Sequence, residues 1–373
     1  MRLRKTGTFL LKTFLGVLIV GILIISLLYM NHLYERSKRV DRIKMSKNFK
    51  DGKFQNSIPT RMIVKGRFWE MVKKSISGGQ KPKKPARPLP IVPLNKENFH
   101  NPPSVTPLLA WLGHSSVLIE LHGKRFLFDP VFSQRASFVQ WIGPKRFHPA
   151  PLNAKIVPPL DGVIISHDHY DHLDKDTVLK IADRTRRFYV PLGIGPILES
   201  WGITKEKIRE CDWWDELMDG EIRLVCTPAR HYSGRGLFGR DGTLWCSWVI
   251  MGEKYRIYFS GDTGMLPEFQ RIGDQYGPFH VTFIKIGAYD VTWPDIHINP
   301  EEAVRAQIQL RGQRLIPIHW GTFDLGLHSW YEPVERLLAA AERENTRVSI
   351  PMPGEIITPT NPEKDTYWWK PFR

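Results

Sequence analysis

The chain has 373 residues and a hydrophobic content of 42%, which allows one large α/β domain with extensions and a sizeable buried core. The net charge of +15 is uneven, because residues 1–100 carry 22 of the 53 lysines and arginines and a net charge of +17, whereas the remainder stands at −2. That near-neutral remainder argues against nucleic acid as a partner, since affinity for a polyanion depends on neutralising its phosphates.

An uncharged, largely apolar run covers residues 13–30. At about 1.5 Å per residue such a helix would span roughly 27 Å, near the thickness of the hydrocarbon core of a membrane. The residues that follow lack the small side chains of a cleavage site, so the run predicts a single-pass anchor in the cell membrane rather than a cleaved signal peptide. Basic residues flank the run on both sides in similar number, so the positive-inside rule selects no orientation.

Residues 31–104 are predicted to link this anchor, residues 1–30, to a folded domain at residues 105–373. Between residues 75 and 103, prolines at positions 82, 85, 88, 90 and 93 exclude regular helix. The lysines and arginines of this segment predict attraction to an anionic membrane surface. A solvated basic linker is a compatible alternative.

From about residue 107 the pattern becomes that of an α/β domain. Strands are predicted at 108–112, 116–121, 125–128, 162–166, 187–190, 222–227, 245–251, 256–260, 281–286 and 314–318. Helices are predicted at 176–184, 195–201, 300–309 and 333–342, the third beginning with Asn299 as its N-cap and Pro300 at its first position. Helices lie between strands, yet some strands follow one another as in hairpins, which favours a sandwich with mixed sheets.

Three widely spaced cysteines, Cys211, Cys226 and Cys246, form no CxxC pair. Their number is odd and their spacing shows no disulfide framework. They are predicted to be buried free thiols.

Histidine or aspartate follows four of the predicted strands within a few residues. His167 follows the strand at 162–166, and His231 comes shortly after 222–227. Asp262 comes shortly after 256–260, and His319 directly follows 314–318. Sites in α/β folds form where strand ends meet loops, so these side chains are expected around one cavity.

The run from His167 to His172 is the strongest indication of a metal site. Alternate residues of an extended segment point the same way, so two histidines of the run can bind one ion while its last two residues face a second. Histidine and carboxylate ligands that leave one coordination position open are typical of catalytic zinc. The alternative for this run is a surface tract that binds metal adventitiously. The predicted ligands are His167, His169 and His231 for one ion and Asp171, His172 and His319 for the other, with Asp262 bridging them.

At these residues the chain resembles the metallo-β-lactamase superfamily, whose hallmark is HxHxDH followed by separate His, Asp and His ligands. Over roughly residues 105–345 it further resembles the branch of N-acyl-phosphatidylethanolamine-hydrolysing phospholipase D. The motifs that carry this second resemblance are WLGH at 111–114, DPVFS at 129–133, GPKRF at 143–147, DWW at 212–214, GAYD at 287–290 and IHWGTF at 318–323.

The resemblance implies an αββα sandwich with mixed sheets at residues 105–373 and two Zn²⁺ ions at the predicted ligands, which would also accept manganese or iron. It implies that Asp129 orients a ligand. It also implies that His297 lies near the scissile phosphate and takes part in catalysis with Asp262 and Asp171. A surface residue beside a helix is the alternative for His297.

The implied activity is hydrolysis of a phosphodiester in an N-acyl-phosphatidylethanolamine-type phospholipid by a hydroxide that bridges the two ions. The candidates for contact with acyl chains or the bilayer are the aromatic-rich loop at 138–142 and Trp293 with Pro294, with ordinary core packing as the alternative. A lactonase or another phosphodiesterase would use the same site. A membrane-tethered docking protein with structural metals is the non-enzymatic alternative.

Overall fold

The computed structural model describes residues 16–27, 29, 30, 41–64, 66, 67, 69, 82–99, 102, 103, 105–236, 238–360 and 367–373. In chain order the strands are β1 (Phe49–Lys50), β2 (Lys53–Phe54), β3 (Leu108–Trp111), β4 (Val117–Leu121), β5 (Lys124–Phe128), β6 (Leu160–Ile164), β7 (Thr185–Pro191), β8 (Ile208–Cys211), β9 (Glu216–Asp219), β10 (Ile222–Thr227), β11 (Ser247–Met251), β12 (Arg256–Phe259), β13 (Val281–Lys285), β14 (Leu315–Ile318) and β15 (Ile356–Ile357). The helices that follow the N-terminal helix at 16–27 are α1 (Asp41–Met45), α2 (Lys175–Ile181), α3 (Gly195–Ser200), α4 (Glu268–Tyr276), α5 (Pro300–Gln309) and α6 (Glu332–Arg343).

Two mixed sheets form the centre of the fold. One has seven strands in the order β15-β3-β4-β5-β6-β7-β8, antiparallel as far as β5 and parallel from β5 onward. The other has six strands in the order β14-β13-β12-β11-β10-β9, with β12, β13 and β14 parallel. This arrangement confirms the predicted sandwich with mixed sheets.

Alternation of side chains along the strands builds the layers. In β4, Val117, Ile119 and Leu121 belong to the core that the two sheets share, whereas Leu118 belongs to the core beneath α2 and α3. Successive side chains of a strand point to opposite faces, so one strand can serve both cores. On the other sheet, α4, α5 and α6 supply buried apolar residues to the shared core, which completes the αββα order of layers.

The strand directions bring the ends of several strands to the same place. Because β10 and β12 are both antiparallel to β11, they run in the same direction as each other, and β13 and β14 run parallel to β12. Their carboxyl ends therefore lie along one edge of the six-stranded sheet. In the other sheet β5 and β6 are parallel and also end side by side.

Most predicted elements are confirmed with small shifts at their ends. Strand β10 and helix α5 match their predicted bounds, and the side chain of Asn299 accepts a hydrogen bond from the backbone N–H of Glu302, as expected of an N-cap. Strands β1, β2, β8, β9 and β15 and helices α1 and α4 were not predicted. The three cysteines are free and buried, as predicted.

The prediction of a transmembrane helix, and with it of a single-pass anchor in the cell membrane, is wrong. Residues 13–15 and 28 of the predicted span lie outside the described residues, and the helical residues described there are 16–27, 29 and 30. Within the described part of the chain, no helix combines the length and the apolar character that crossing a membrane requires. The division at residue 105 and the attraction of residues 31–104 to an anionic surface stay predictions.

Candidate metal centre

Histidine and aspartate side chains from both sheets converge at the strand ends. Among the described residues, four overlapping groups each hold nitrogen or carboxylate oxygen atoms within 4.8 Å of one another. The groups are His114, Asp171, His172 and His319; His167, His169 and His231; His167, His172 and Asp262; and His231, Asp262 and His297. Every residue predicted as a ligand is in this cluster, and so is the predicted catalytic residue His297.

Asp262 lies between the two sets of predicted ligands. Its Oδ1 atom is 3.4 Å from His172 Nε2, and its Oδ2 atom is 3.1 Å from His319 Nε2 and 3.7 Å from His231 Nε2. His172 and His319 are predicted for one ion and His231 for the other. One carboxylate thus faces both predicted ion positions.

The donor atoms at the centre lack hydrogen-bond partners. His172 Nε2, His319 Nε2 and Asp262 Oδ1 are buried without a partner. A buried polar atom left unpaired costs about 1–3 kcal/mol, so unpaired atoms that converge on one point need a ligand of their own. Imidazole nitrogens and carboxylate oxygens are the donors that zinc and similar divalent ions prefer, and the cluster therefore fits metal ions.

Asp129 and Ser166 orient two of the histidines from behind. Asp129 Oδ2 accepts a hydrogen bond from His172 Nδ1 at 2.7 Å, and Asp129 Oδ1 accepts one from the backbone N–H of Ser166 at 2.7 Å. The Ser166 hydroxyl donates to Asp129 Oδ2 and lies 2.9 Å from His167 Nδ1, whose N–H it can accept. With both Nδ1 atoms occupied, the Nε2 atoms of His167 and His172 remain for a metal ion.

Left-handed backbone ends two of the strands at the site. Asp129 directly follows β5 with a φ of 38°, and His319 directly follows β14 with a φ of 63°. Non-glycine residues seldom adopt positive φ, at a cost of about 1–3 kcal/mol. At His319 the backbone N–H donates to the carbonyl of His114 at 2.8 Å, which helps to hold this conformation.

The loops of His231 and His297 are in close contact. His231 Nδ1 lies 3.0 Å from the carbonyl oxygen of Ile296, to which it donates, so that its Nε2 atom faces Asp262. A Cβ atom at Gly264 would lie 1.7 Å from the carbonyl oxygen of Asp295. Glycine at that position therefore allows the loop after Asp262 to pass directly against the segment that carries His297.

A segment upstream of the predicted domain also holds the His231 loop. The Asn56 side chain donates to the carbonyl of His231 at 2.8 Å and accepts from the His231 backbone N–H at 3.0 Å. The same Asn56 oxygen accepts from Trp245 Nε1 at 3.0 Å. Both backbone groups of a predicted ligand are thus fixed by one amide.

An ion-pair network extends this contact toward His297. Asp295 accepts hydrogen bonds from the backbone and guanidinium of Arg61 and forms an ion pair with Arg230 at 3.0 Å. Arg230 in turn donates to the carbonyl of Pro59 at 2.6 Å. The segment before residue 62, the His231 loop and the His297 segment are therefore joined by a continuous set of polar contacts.

The two carboxylates of the cluster are held in their charged form. Burial opposes the charge on Asp262, but His319, His172 and Lys285 outweigh it and hold the pKa of this carboxyl well below its usual value. Burial likewise opposes the charge on Asp171, and its histidine neighbours hold its pKa well below the usual value. Both residues are anionic at neutral pH, as metal binding requires.

The histidines divide into two kinds. Burial lowers the pKa of His167, His169 and His231, so these imidazoles are neutral at neutral pH, which is the form that binds a metal ion. Burial also opposes the charge on His172, but Asp262, Asp171 and Asp129 outweigh it and raise its pKa well above the usual value. In the metal-free protein His172 therefore carries a proton that an incoming ion displaces.

His297 and Lys285 form the wall beside Asp262. His297 Nδ1 is 3.6 Å from Asp262 Oδ2 and 2.5 Å from the amine of Lys285. The alternative of a surface residue is excluded, because only 12% of the His297 side chain is exposed. Asp168, which lies within the histidine run, instead accepts from the backbone N–H of Gly234 at 2.8 Å.

Sequence reasoning missed four residues that support the centre. His114 Nε2 is 2.8 Å from Asp171 Oδ2, and burial lowers the pKa of His114 to about 3, so a neutral ring donates to this carboxylate. His114 stands in the WLGH motif and Ser166 is next to His167, so both had a signal in the sequence. Asn56 and Lys285 had none, since a single asparagine and a single lysine form no pattern.

A mixed-sheet αββα sandwich with a cluster of histidines and aspartates at its strand ends defines a metal-dependent hydrolase. Residues 124–320, more than half of the chain, match the model of the β-lactamase superfamily domain. The chain therefore belongs to the metallo-β-lactamase superfamily and, within it, to the branch similar to N-acyl-phosphatidylethanolamine-hydrolysing phospholipase D.

Similar proteins occur in bacteria and animals. An uncharacterised protein of Mycobacterium tuberculosis is 44% identical over 335 residues, covering 87% of this chain and 88% of that protein. The N-acyl-phosphatidylethanolamine-hydrolyzing phospholipase D 1 of Caenorhabditis elegans is 39% identical over 286 residues, covering 72% of this chain and 80% of that protein.

The fold is shared with solved structures. A metallo hydrolase from the archaeon Ignicoccus hospitalis superimposes with a TM-score of 0.52 at 23% identity, covering 68% of this chain and 98% of that one. At this identity the likeness concerns the fold alone.

Proposed function

We propose that this protein hydrolyses the phosphodiester of an N-acyl-phosphatidylethanolamine-type phospholipid, with two divalent metal ions that are predominantly zinc. The observation that carries the proposal is the position of Asp262, whose two oxygens face histidines of both predicted ion positions. The ions would be held by His167, His169 and His231 on one side and by Asp171, His172 and His319 on the other, with Asp262 bridging.

The contacts suggest a separate role for the metal ions and for each group of residues around them. Two bound ions would supply a nucleophile at neutral pH by lowering the pKa of water, and would neutralise charge on the phosphoryl oxygens. Asp129 and Ser166 hold His172 and His167 with their Nε2 atoms toward the centre. His297, beside Asp262 and partly open to solvent, is placed to donate a proton to the departing oxygen.

An exposed apolar loop supports a lipid as the substrate. Phe138 and Trp141 are 71% and 76% exposed, which excludes core packing as their role. The Phe138 ring lies 6.2 Å from the ring of Tyr170, a member of the histidine run. Apolar side chains that stand in water beside a hydrolytic site favour a substrate with acyl chains. The name of the C. elegans relative supports the same choice.

A comparison of three substrates tests the proposal. Zinc-loaded protein is given an N-acyl phosphatidylethanolamine, an aryl phosphodiester and an acyl lactone, and products are identified by mass. We expect phosphatidic acid and an N-acylethanolamine from the lipid at the highest kcat/KM. Turnover of the lactone alone would overturn the proposal.

The variant Asp262→Ala tests the role of the carboxylate. We expect turnover of the lipid to be lost and the metal content, measured by elemental analysis, to fall below two equivalents per chain. Asp183→Ala is the matched control, because Asp183 is exposed and belongs to none of the four groups of the cluster. Full turnover by Asp262→Ala would contradict the bridging role.

A further inference from the structure

Lys285 is a buried amine that the proposed mechanism has not used. It is the last residue of β13 and its side chain is fully buried. Its Nζ atom donates to the carbonyl of Gly287 at 2.7 Å and lies 2.5 Å from His297 Nδ1. Burying an amine is costly unless its hydrogens find acceptors, so these two contacts account for its presence.

The chemistry of an ammonium group decides which atom donates in the contact with His297. Burial lowers the pKa of Lys285 to about 8, against the opposing effect of Asp262, so the amine is predominantly charged at neutral pH. An ammonium has three donors and no acceptor. His297 Nδ1 must therefore accept, and the proton of the neutral ring resides on Nε2.

This contact also excludes a competing hydrogen bond. Asp262 Oδ2 is 3.6 Å from the same Nδ1 atom. Without the lysine, a proton on Nδ1 would point at this carboxylate and occupy an oxygen lone pair that faces the predicted ions. The Nε2 atom of the neutral ring would then carry no proton. The amine also fills the position that a metal ion would need in order to bind His297 through Nδ1.

We propose that Lys285 is a positioning residue that fixes His297 as the Nε2-protonated tautomer and keeps Nδ1 from donating to Asp262. His297 then presents a proton donor at Nε2, and as that proton passes to the departing oxygen, Nδ1 takes a proton from the Lys285 ammonium, so the ring stays neutral and the amine becomes neutral. The consequence for catalysis rests on the proposed function, whereas the tautomer itself does not.

Nuclear magnetic resonance of the zinc-loaded full chain tests the tautomer directly. With ¹⁵N-labelled histidine, the wild-type spectrum is expected to show His297 protonated on Nε2, its signals being assigned by their loss in His297→Gln. In Lys285→Met we expect the proton to move to Nδ1. A wild-type ring protonated on Nδ1, or a folded Lys285→Met that keeps the proton on Nε2, would overturn the proposal.

Kinetics with two leaving groups test the consequence. Loss of a proton donor slows departure of an alkoxide far more than departure of a nitrophenolate, which needs no proton. Lys285→Met is therefore expected to lower kcat by about 10²–10⁴-fold on an alkyl phosphodiester, much less on a nitrophenyl one, with KM nearly unchanged. An equal loss on both substrates would contradict the donor role of His297.

Two further variants complete the design. Lys254→Met is the matched control, because Lys254 is exposed, and it should leave both rates unchanged. Lys285→Arg keeps a cationic donor and is expected to restore the Nε2-protonated tautomer. If no phosphodiester is cleaved at all, the proposed function fails while the spectra still decide the tautomer.

Discussion

At the scale of single residues, the centre depends on groups that never touch an ion. Asp129 is fully buried and accepts hydrogen bonds from His172, from the Ser166 hydroxyl and from the Ser166 backbone. Each of these bonds sets the direction of a ring or of the chain just before His167. A partner of this kind contributes to metal affinity by fixing its ligands beforehand.

We therefore expect Asp129→Asn to weaken metal binding by about 10–100-fold, because an amide is a poorer acceptor for His172 Nδ1 and its NH₂ cannot accept from Ser166. Competition with a chromophoric chelator measures the change. Asp183→Asn, an exposed substitution, should bind metal as the wild type does. Unchanged affinity in Asp129→Asn would show that the ligands orient themselves.

A second prediction concerns His148, which is buried and donates from Nδ1 to the carbonyl of Pro149 at 2.7 Å. Burial, reinforced by Arg146, lowers the pKa of His148 to about 3. In the unfolded chain its pKa is near 6.5. Between these values only the unfolded chain binds the proton, so the stability that neutral His148 allows is present above about pH 6.5 and is lost as the pH falls toward about 3.

We expect His148→Gln to reduce the pH dependence of the unfolding free energy by about one proton between about pH 6 and pH 4. Urea unfolding of the metal-free protein at several pH values gives this slope. A variant that keeps the wild-type slope would mean that His148 is protonated in the folded state.

At the scale of elements, the short segment around β1 and β2 acts as part of the site. Asn56 fixes both backbone groups of His231, and Arg61 fixes Asp295, two residues before His297. The loop after β10 has no regular structure of its own at His231. Its position is therefore set by the segment that packs against it.

We expect Asn56→Ala to speed metal dissociation by about tenfold, because His231 loses two backbone hydrogen bonds and Trp245 loses one while the strands remain. Stopped-flow transfer of zinc to a chelator measures the rate. Gln55→Ala is the neighbouring control, with an exposed side chain. Equal rates in the two variants would contradict the supporting role of the segment.

At the scale of the whole molecule, the centre joins the two sheets. Asp129 and the run His167–His172 follow strands of the seven-stranded sheet, whereas His231, Asp262 and His319 follow strands of the six-stranded sheet. An ion bound by residues of both sheets favours the state in which the sheets are packed together. A ligand that binds only the folded state stabilises it by mass action.

We expect removal of metal by a chelator to lower the free energy of unfolding by about 3 kcal/mol or more when free zinc had been at about 100 times its dissociation constant. Urea midpoints before removal, after it and after zinc is restored measure the effect. Asp262→Ala should respond much less to the chelator. Identical midpoints with and without metal would show that the sheets pack independently of the ions.

The parts of the protein that were predictable are those with local signals. The run His167–His172 is contiguous, and β10 and α5 have clear hydrophobic patterns and residues that mark their ends. The sequence alone therefore located them. Strands β1, β2, β8, β9 and β15 and helix α1 are short, helix α4 has no capping side chain, and these elements were missed. The contacts of Asn56 and Lys285 depend on residues distant in sequence or on the final placement of loops, which no local pattern encodes.

The membrane prediction was wrong for a related reason. Hydropathy measures what residues 13–30 prefer to contact, but not how far a helix extends. Within the described residues no helix is both long and apolar enough to cross a membrane, so an apolar run was not a sufficient signal for one.

The split of the centre between the sheets imposes an order on biosynthesis. The run His167–His172 leaves the ribosome long before His319, and β14 must add to the edge of the six-stranded sheet before His319 can reach Asp171 and Asp262. Until then the histidines of a nascent chain bind metal only loosely. Any stronger chelator in the cell can remove that metal. Tight metal retention thus becomes a late event, because it must wait until β14 has joined the sheet.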